Sequence, residues 1–163
     1  MRRLMCMILV LCLLLSGCSF MGERIKEPVN FYYVRENYQK DMQQVIASEV
    51  REASGHREDL SYLLALYSMG PASDELQSLL PRNTTIELTE YLDDSITLFL
   101  SESAASMTDA DFTLTCACIS LTCMELSDIL QVTLVCADRN ITIRKDQLLQ
   151  YINLSPKSQE DNQ

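Results

Sequence analysis

The sequence predicts an α+β domain in which two helices pack on one antiparallel or mixed sheet. Stretches of alternating apolar and polar residues, typical of half-buried strands, account for six elements. Two further stretches repeat apolar residues every three or four positions, as a helix with one buried face does. These elements follow one another in the order β-β-α-β-β-α-β-β, which is typical of a single compact domain with a helical layer on a sheet.

The first two elements are predicted strands. The stretch "VNFYYV", which begins at Val29, is aromatic and β-branched and alternates in polarity. A polar turn around Glu36 to Asp41 follows it. The stretch "MQQVIASEV", which begins at Met42, is a second candidate strand, although its pattern also permits a helix.

The first predicted helix lies in "REDLSYLLALYSMGP". Its apolar face combines positions i, i+3, i+4 and i+7, namely Leu60, Leu63, Leu64 and Tyr67. Glu58 and Asp59 are expected in its first turn, where carboxylates favour the helix dipole. Gly70 is placed to cap the helix and Pro71 prevents its continuation. The next stretch, "DELQSLL", predicts a further helical turn or two, stopped by Pro81.

The second half of the chain repeats the strand and helix signals. Two alternating runs around Ile86 and Ile96 predict a hairpin that turns at Asp93-Asp94. A long helix from about Asp109 to Asp128, capped by Thr108 or Asp109, has a core-facing stripe of Phe112, Cys116, Ile119, Cys123 and Leu126. The runs "LQVTLVCA" and "ITIRK" predict a last hairpin around Asp138-Arg139-Asn140.

The N-terminus resembles a bacterial lipoprotein signal. Arg2 and Arg3 precede the uncharged run Leu4 to Leu15, which is too short for the ~20 residues of a spanning helix. The residues Leu15-Ser16-Gly17-Cys18 resemble a lipobox, which implies cleavage before Cys18 and a diacylglycerol on its thiol. The alternative, a buried core helix, is disfavoured by the two arginines.

Charge and composition divide the chain and limit its partners. Residues 1–17 are the predicted signal peptide, 18–28 the lipidated cysteine and tether, 29–154 the domain, and 155–163 a disordered tail. Loss of Arg2 and Arg3 leaves 11 basic against 23 acidic residues, a net charge of −12. Such a charge argues against nucleic acid and against electrostatic binding to anionic lipid, so the lipid itself must hold the protein on the membrane.

The order of several short motifs resembles the GerMN domain of sporulation and spore-germination lipoproteins. These motifs are "VNFYYV", "LLALYSMGP", "LQSLLP" followed by "TTIEL", "SITLFLS", "FTLTCACISLTCMEL" and "LQVTLVC". Within them, Gly70-Pro71 and Leu80-Pro81 occupy the places of the family's helix-ending Gly-Pro and of its Leu-Pro. The resemblance extends from Val29 to Arg144, although the germination protein has two such domains and this chain has one.

The resemblance implies an envelope lipoprotein of a Gram-positive spore-forming bacterium. Domains of this family resemble the ring-building folds of the channel between mother cell and forespore, and they act by packing against other proteins. We therefore expect a protein-interaction domain on the extracytoplasmic face of the cell membrane, with other envelope or sporulation proteins or further copies as partners. The family also accompanies cell-wall amidases, so a wall-associated role is the alternative.

No residue set predicts catalysis or a cofactor. The single histidine, His56, lies in a polar stretch before the first helix, where a solvated residue is expected. Helical spacing prevents Cys116, Cys118 and Cys123 from converging with Cys136 on one metal ion, so core thiols are favoured over a disulfide from Cys136 or a zinc site. Asp93-Asp94 and "TDAD" predict turn and cap residues rather than a calcium site.

A second function class, binding of cell-wall glycan or a small ligand, predicts a cleft lined by aromatic side chains. The candidates for that lining are Tyr32, Tyr33, Tyr38 and Tyr62. An enzyme is the third class, and we do not expect it, because no nucleophile, base and orienting group recur at a recognisable spacing.

Overall fold

The computed structural model describes residues 27–37, 45–126 and 128–148. The strands are β1 (Pro28–Arg35), β2 (Ile46–Glu52), β3 (Leu76–Gln77), β4 (Ile86–Leu92), β5 (Ser95–Leu100), β6 (Gln131–Cys136) and β7 (Arg139–Arg144). The helices are α1 (Leu60–Ser68), a 3₁₀ helix (Glu102–Ser106) and α2 (Asp109–Leu126). The predicted α+β class and the order of its main elements are confirmed. The leader with Cys18, most of the tether and the tail lie outside the described residues.

The strands form two hydrogen-bonded sheets rather than the single predicted sheet. One has the order β2-β1-β3 and the other the order β4-β5-β6-β7. The two sheets stay separate because of what lies along the edge of β1 that faces away from β2. The two-residue β3 pairs there only with the C-terminal end of β1. Farther along that edge the Tyr32 N–H donates to the Thr122 hydroxyl of α2 at 3.0 Å. A helix therefore stands where a strand would have joined the two sheets.

The second sheet is mixed. Strands β5 and β6 are parallel, whereas β4–β5 and β6–β7 are antiparallel hairpins. A parallel pair requires a long crossover, which here is the 3₁₀ helix followed by α2. The first hairpin turns at Asp93-Asp94 as predicted, with Asp93 at φ +52°.

The stretch "DELQSLL" contradicts the predicted helical turn. Leu76 and Gln77 form β3, antiparallel to Arg35 and Val34. The buried Leu76 side chain and the pairing with β1 outweigh the local helical pattern. Pairing with β1 also decides between the two alternatives for "MQQVIASEV". Residues Ile46–Glu52 form a strand and not a helix.

The last hairpin turns one residue earlier than predicted. Its turn consists of Ala137 and Asp138, with Ala137 at φ +53°, and Arg139 already belongs to β7. The Arg139 guanidinium lies 4.2 Å from the ring centre of Phe112 and donates to the carbonyl oxygens of Ala104 and Met107 at 2.9 and 3.0 Å. These contacts fix Arg139 in the strand.

Helix α2 forms the centre of the core. The predicted stripe is buried at Phe112, Cys116, Ile119 and Cys123. Cys118 and Thr122 are buried as well, and Thr122 contacts β1 through its hydroxyl. The helix is therefore enclosed on more than one face. Among the described residues, no helix has the length and apolar character that a membrane span requires.

Candidate functional site

The Gly70-Pro71 motif ends α1 in the predicted manner. Gly70 lies at φ +84°, a conformation that glycine adopts without strain, and its N–H donates to the Tyr67 carbonyl at 3.0 Å. Asp59 is the N-cap rather than a first-turn residue, since its side chain accepts the Tyr62 N–H at 3.0 Å. Local groups thus bind backbone groups at both ends of this short helix.

Two charged residues of β2 hold the turn that follows α1. Arg51 and Glu49 form an ion pair at 2.6 Å, and both side chains are largely buried. Glu49 accepts the backbone N–H groups of Ala72 and Ser73 at 3.0 Å, while Arg51 donates to the carbonyl oxygens of Leu66 and Gly70. The pair therefore supplies an acceptor for two amides of the turn, and a donor for one carbonyl in the last turn of the helix and for the carbonyl of Gly70.

The Leu80-Pro81 motif is structural. Leu80 packs against the hydrophobic core, and the Pro81 carbonyl accepts both the N–H and the hydroxyl of Thr84, at 3.1 and 2.8 Å. The next strand begins two residues later at Ile86. This motif therefore places β4.

The four thiols of the domain are buried, and none of them is in a disulfide. Burial raises the pKa of Cys116, Cys118 and Cys123 to about 12 in each case. Such thiols stay protonated near neutral pH, and it is the thiolate that binds metal or attacks a substrate. Within residues 27–37, 45–126 and 128–148, no three metal-binding side chains lie close enough together to share an ion.

The acidic stretches serve turns and helix ends. Thr108, the predicted alternative to Asp109, is the residue that caps α2. Its hydroxyl accepts the Asp111 N–H at 3.2 Å and donates to the Asp111 carboxylate at 2.8 Å. Thr108 therefore caps the helix through its hydroxyl, and the Asp111 carboxylate holds that hydroxyl in place.

Tyr32 and Tyr33 do not line one cleft, contrary to the prediction. Tyr33 is buried, stacks on Tyr67 at 4.7 Å and donates its hydroxyl to the Tyr67 carbonyl, and burial raises its pKa well above 10. Tyr32 lies on the opposite face of β1 and donates to Glu125 at 2.5 Å. Burial and this hydrogen bond raise the pKa of Tyr32 to about 12. Adjacent residues of a strand point to opposite faces, so these two cannot line one cleft. Tyr38 lies outside the described residues.

A different groove lies at the start of α1. It has a volume of about 740 Å³, and His56 stacks on Tyr62 beside it with ring centres 4.4 Å apart. Within its lining, the Glu27 carboxylate accepts the Gly55 N–H at 3.0 Å. The lining consists of Glu27, Gly55, His56, Arg57, Glu58, Asp59, Leu60, Ser61 and Tyr91. Sequence reasoning missed this groove because Tyr91 arrives from the distant β4.

The free edge of β2 was not identified from the sequence either. The Ala53 N–H donates to the Glu27 carbonyl at 3.2 Å, and the Arg35 N–H donates to the Val45 carbonyl at 2.9 Å. These two bonds show which residue pairs of β1 and β2 are the hydrogen-bonded ones. Because hydrogen-bonded pairs alternate in an antiparallel ladder, Ala47, Glu49 and Arg51 face β1. The backbone groups of Ile46, Ser48, Val50 and Glu52 point away from it, and no described strand pairs with them.

The sequence matches no family model and no curated protein. The structure is similar to the first GerMN domain of the sporulation protein GerM from Bacillus subtilis, with a TM-score of 0.49 and 16% identity over 70% of this chain and 85% of that one. It is also similar to the tandem GerMN domains of the same protein, with a TM-score of 0.48 and 14% identity over 70% of this chain and 40% of that one.

Proposed function

We propose that this protein is a lipoprotein whose GerMN-like domain binds other envelope proteins during spore formation or germination. The lipid on Cys18 holds the domain at the extracytoplasmic face of the cell membrane. The motif Leu15-Ser16-Gly17-Cys18 supports the anchor, and the ordered motifs from Val29 to Arg144 support the family. Two or more acyl chains on one residue provide stable attachment to a membrane.

The observation that supports a protein-interaction function is the edge of β2, with which no other described strand than β1 pairs. The strand has seven residues without proline, lysine or a bulge, and the backbone groups of every second residue, four in all, point away from β1. Such an edge is a template for pairing with another chain. Protein partners of this kind, rather than nucleic acid, also suit a chain with a strong negative charge.

We further propose that the domain is not an enzyme. The side chains best suited to chemistry already have structural partners: Arg51 and Glu49 hold the turn after α1, and Arg139 holds the 3₁₀ helix. Three of its thiols are protonated at neutral pH because of burial. These groups stabilise the fold and are not available for catalysis.

Deletion of the gene in its host, followed by complementation, tests this function. We expect fewer heat-resistant or germinating spores after deletion, and restoration by the unaltered gene and by His56→Ala. Cys18→Ala is expected to fail to restore them and to lose incorporation of a palmitate analogue, because it removes the thiol that carries the lipid. Normal spore numbers after deletion would contradict the proposed role.

The groove beside His56 favours one second candidate function, binding of cell-wall fragments or another small ligand. Its exposed Tyr91 and its mixed charges offer stacking and hydrogen bonds to a sugar or peptide. Titration of the protein with muropeptides tests this function. Stabilisation of the unaltered chain by several degrees, lost in Tyr91→Ala, would favour this candidate, and an unchanged melting temperature would exclude it for those ligands.

A further inference from the structure

The groove at the start of α1 lies where the described part of the chain begins. Glu27, the first described residue, belongs to its lining. The Ala53 N–H donates to the Glu27 carbonyl and the Gly55 N–H donates to its carboxylate, so the turn after β2 holds this residue in place. Glu27 has φ +52°, a left-handed conformation that interrupts the extended path of β1. The preceding chain therefore joins the domain beside the groove and not along the line of β1.

The groove combines apolar surface with negative charge. Tyr91 in its lining and Leu92 next to it in the sequence are each more than half exposed. The lining also carries three carboxylates against one guanidinium group. Glu27 and Asp59 accept backbone N–H groups, whereas Glu58 has no hydrogen-bond or ion-pair partner among the described residues. A chain segment with both apolar and cationic side chains is complementary to this surface.

The sequence directly before Glu27 has this composition. Residues 20–26 read "FMGERIK" and combine apolar side chains with two cations and one carboxylate. The apolar residues are Phe20, Met21 and Ile25, the cations are Arg24 and Lys26, and the acid is Glu23. We propose that the groove binds this segment of the same chain, with the cations at its carboxylates and the apolar side chains beside Tyr91. Attachment at Glu27 gives the segment a high effective concentration, so weak contacts suffice to hold it.

A lipid surface fits the groove less well than this segment. Asp93 and Asp94 follow Leu92 at the tip of the β4–β5 hairpin and add two carboxylates to the three of the lining. Anionic lipid headgroups repel such a surface. The cationic segment, in contrast, offsets the charge of the groove.

The inference deepens the proposed function and rests on its lipid anchor at Cys18. The nine residue steps from Cys18 to Glu27 span at most about 30 Å, at about 3.3 Å each. Docking of the segment shortens this span and turns the groove toward the membrane. Strand β2 extends about 20 Å from Glu52, at the groove end of the sheet, to Ile46. Its outer edge is then held away from the lipid, where a protein partner has access to it.

Limited trypsin digestion of the lipidated full chain in detergent micelles tests the docking. Trypsin cleaves after Arg24 and Lys26, and cleavage of a docked segment follows the population of its open form. Tyr91→Ser and Glu58→Lys remove an apolar contact and an opposite charge, so cleavage at both sites should become severalfold faster. Cleavage after Lys157, near the C-terminus, should keep its rate in every variant.

Two matched variants control for general effects on the domain. Phe99→Ser and Glu102→Lys change an exposed aromatic residue and an exposed carboxylate outside the groove lining. Neither should alter cleavage after Arg24 or Lys26, because the anchor and the groove are unchanged. Equal rates in the unaltered chain, the two groove variants and the two controls would overturn the proposal.

A charge exchange identifies the occupant of the groove. Glu58→Lys combined with Arg24→Glu again sets opposite charges beside each other and should return cleavage after Lys26 to the slow rate of the unaltered chain. Fast cleavage in this double variant would overturn the proposal. Protection that rises with protein concentration would assign the groove to a second copy, and protection that requires added muropeptides would assign it to a wall ligand. Either result would also overturn the proposal, whereas the spore assay judges the proposed function separately.

Discussion

Arg51 and Glu49, two residues apart on β2, are joined by a 2.6 Å ion pair and together bind the turn after α1. Arg51 also lies over the rings of Phe31 and Tyr33, at 5.6 and 6.0 Å from their centres. The pair thus connects the first sheet, the first helix and the Gly70-Pro71 motif. A motif recognised in the sequence is held in place by two residues that belong to no recognised motif.

Replacing Arg51 by methionine should lower the free energy of unfolding by about 3–5 kcal/mol. The change leaves the Glu49 carboxylate buried without its cation and the Gly70 carbonyl without its donor, and broken buried pairs cost this much. Urea denaturation of the two proteins measures the difference. Arg144→Met, which breaks an exposed ion pair with Asp146, is the control and should change stability by under about 0.5 kcal/mol.

Gly70→Ala should destabilise the domain by about 1–2 kcal/mol. A Cβ atom added at Gly70 would meet only the Ser78 Cβ at 3.9 Å, an ordinary contact, so space does not oppose the change. The cost comes from the backbone, because φ +84° is strained for a residue with a Cβ atom. Thermal unfolding checks this, and an unchanged melting temperature would show that the turn relaxes to another conformation.

The stability of the domain should fall as the pH rises from about 9 toward 12. Three buried thiols and Tyr32 have folded-state pKa values of about 12, whereas they ionise near 9 and 10 in the unfolded chain. A raised pKa means that the folded state keeps its protons longer, so the contribution is complete below the unfolded pKa and is lost above it. Urea midpoints between pH 7 and 11 test this. Cys123→Ala should weaken the dependence, and a flat profile would contradict the burial of these groups.

Two hydroxyls of α2 should respond in opposite directions. Ser120 is fully buried and its hydroxyl has no hydrogen-bond partner among the described residues, so Ser120→Ala should stabilise the domain by about 1 kcal/mol. Thr122→Val keeps the shape but leaves the Tyr32 N–H without its acceptor and should cost about 1–2 kcal/mol. Equal effects of both substitutions in urea denaturation would contradict the hydrogen bond that closes β1.

Local patterns predicted most of the fold because period and turn chemistry are visible in short stretches. The α1 face, its Gly70 end, the Asp93 turn and the α2 stripe all follow from spacing within a few residues. The division into two sheets did not follow, since it depends on contacts between β1 and α2, such as that between Tyr32 and Thr122, 90 residues apart. The same limit applies to β3, whose two residues are strand only because β1 lies beside them.

The candidate sites were harder to predict for the same reason. The lipid-attachment signal at Cys18 is a contiguous motif and remains a prediction from the sequence. The groove brings residues near His56 together with Tyr91, which is distant in the sequence. The β2 edge is exposed because no other described strand lies beside it. Neither feature therefore has a signature within a short stretch of sequence. One signal was available: the outward series of Ile46, Ser48, Val50 and Glu52 includes an apolar residue at its centre.

The most direct test of the central claim is to image a copy tagged at its C-terminus through growth and spore formation in its own host. We expect the tagged protein to gather at the engulfing membrane or the forespore, and a Cys18→Ala version to lose its membrane attachment. An even coat over growing cells, unchanged when spores form, would contradict a role in spore formation. That result would favour the wall-binding function of the groove beside His56.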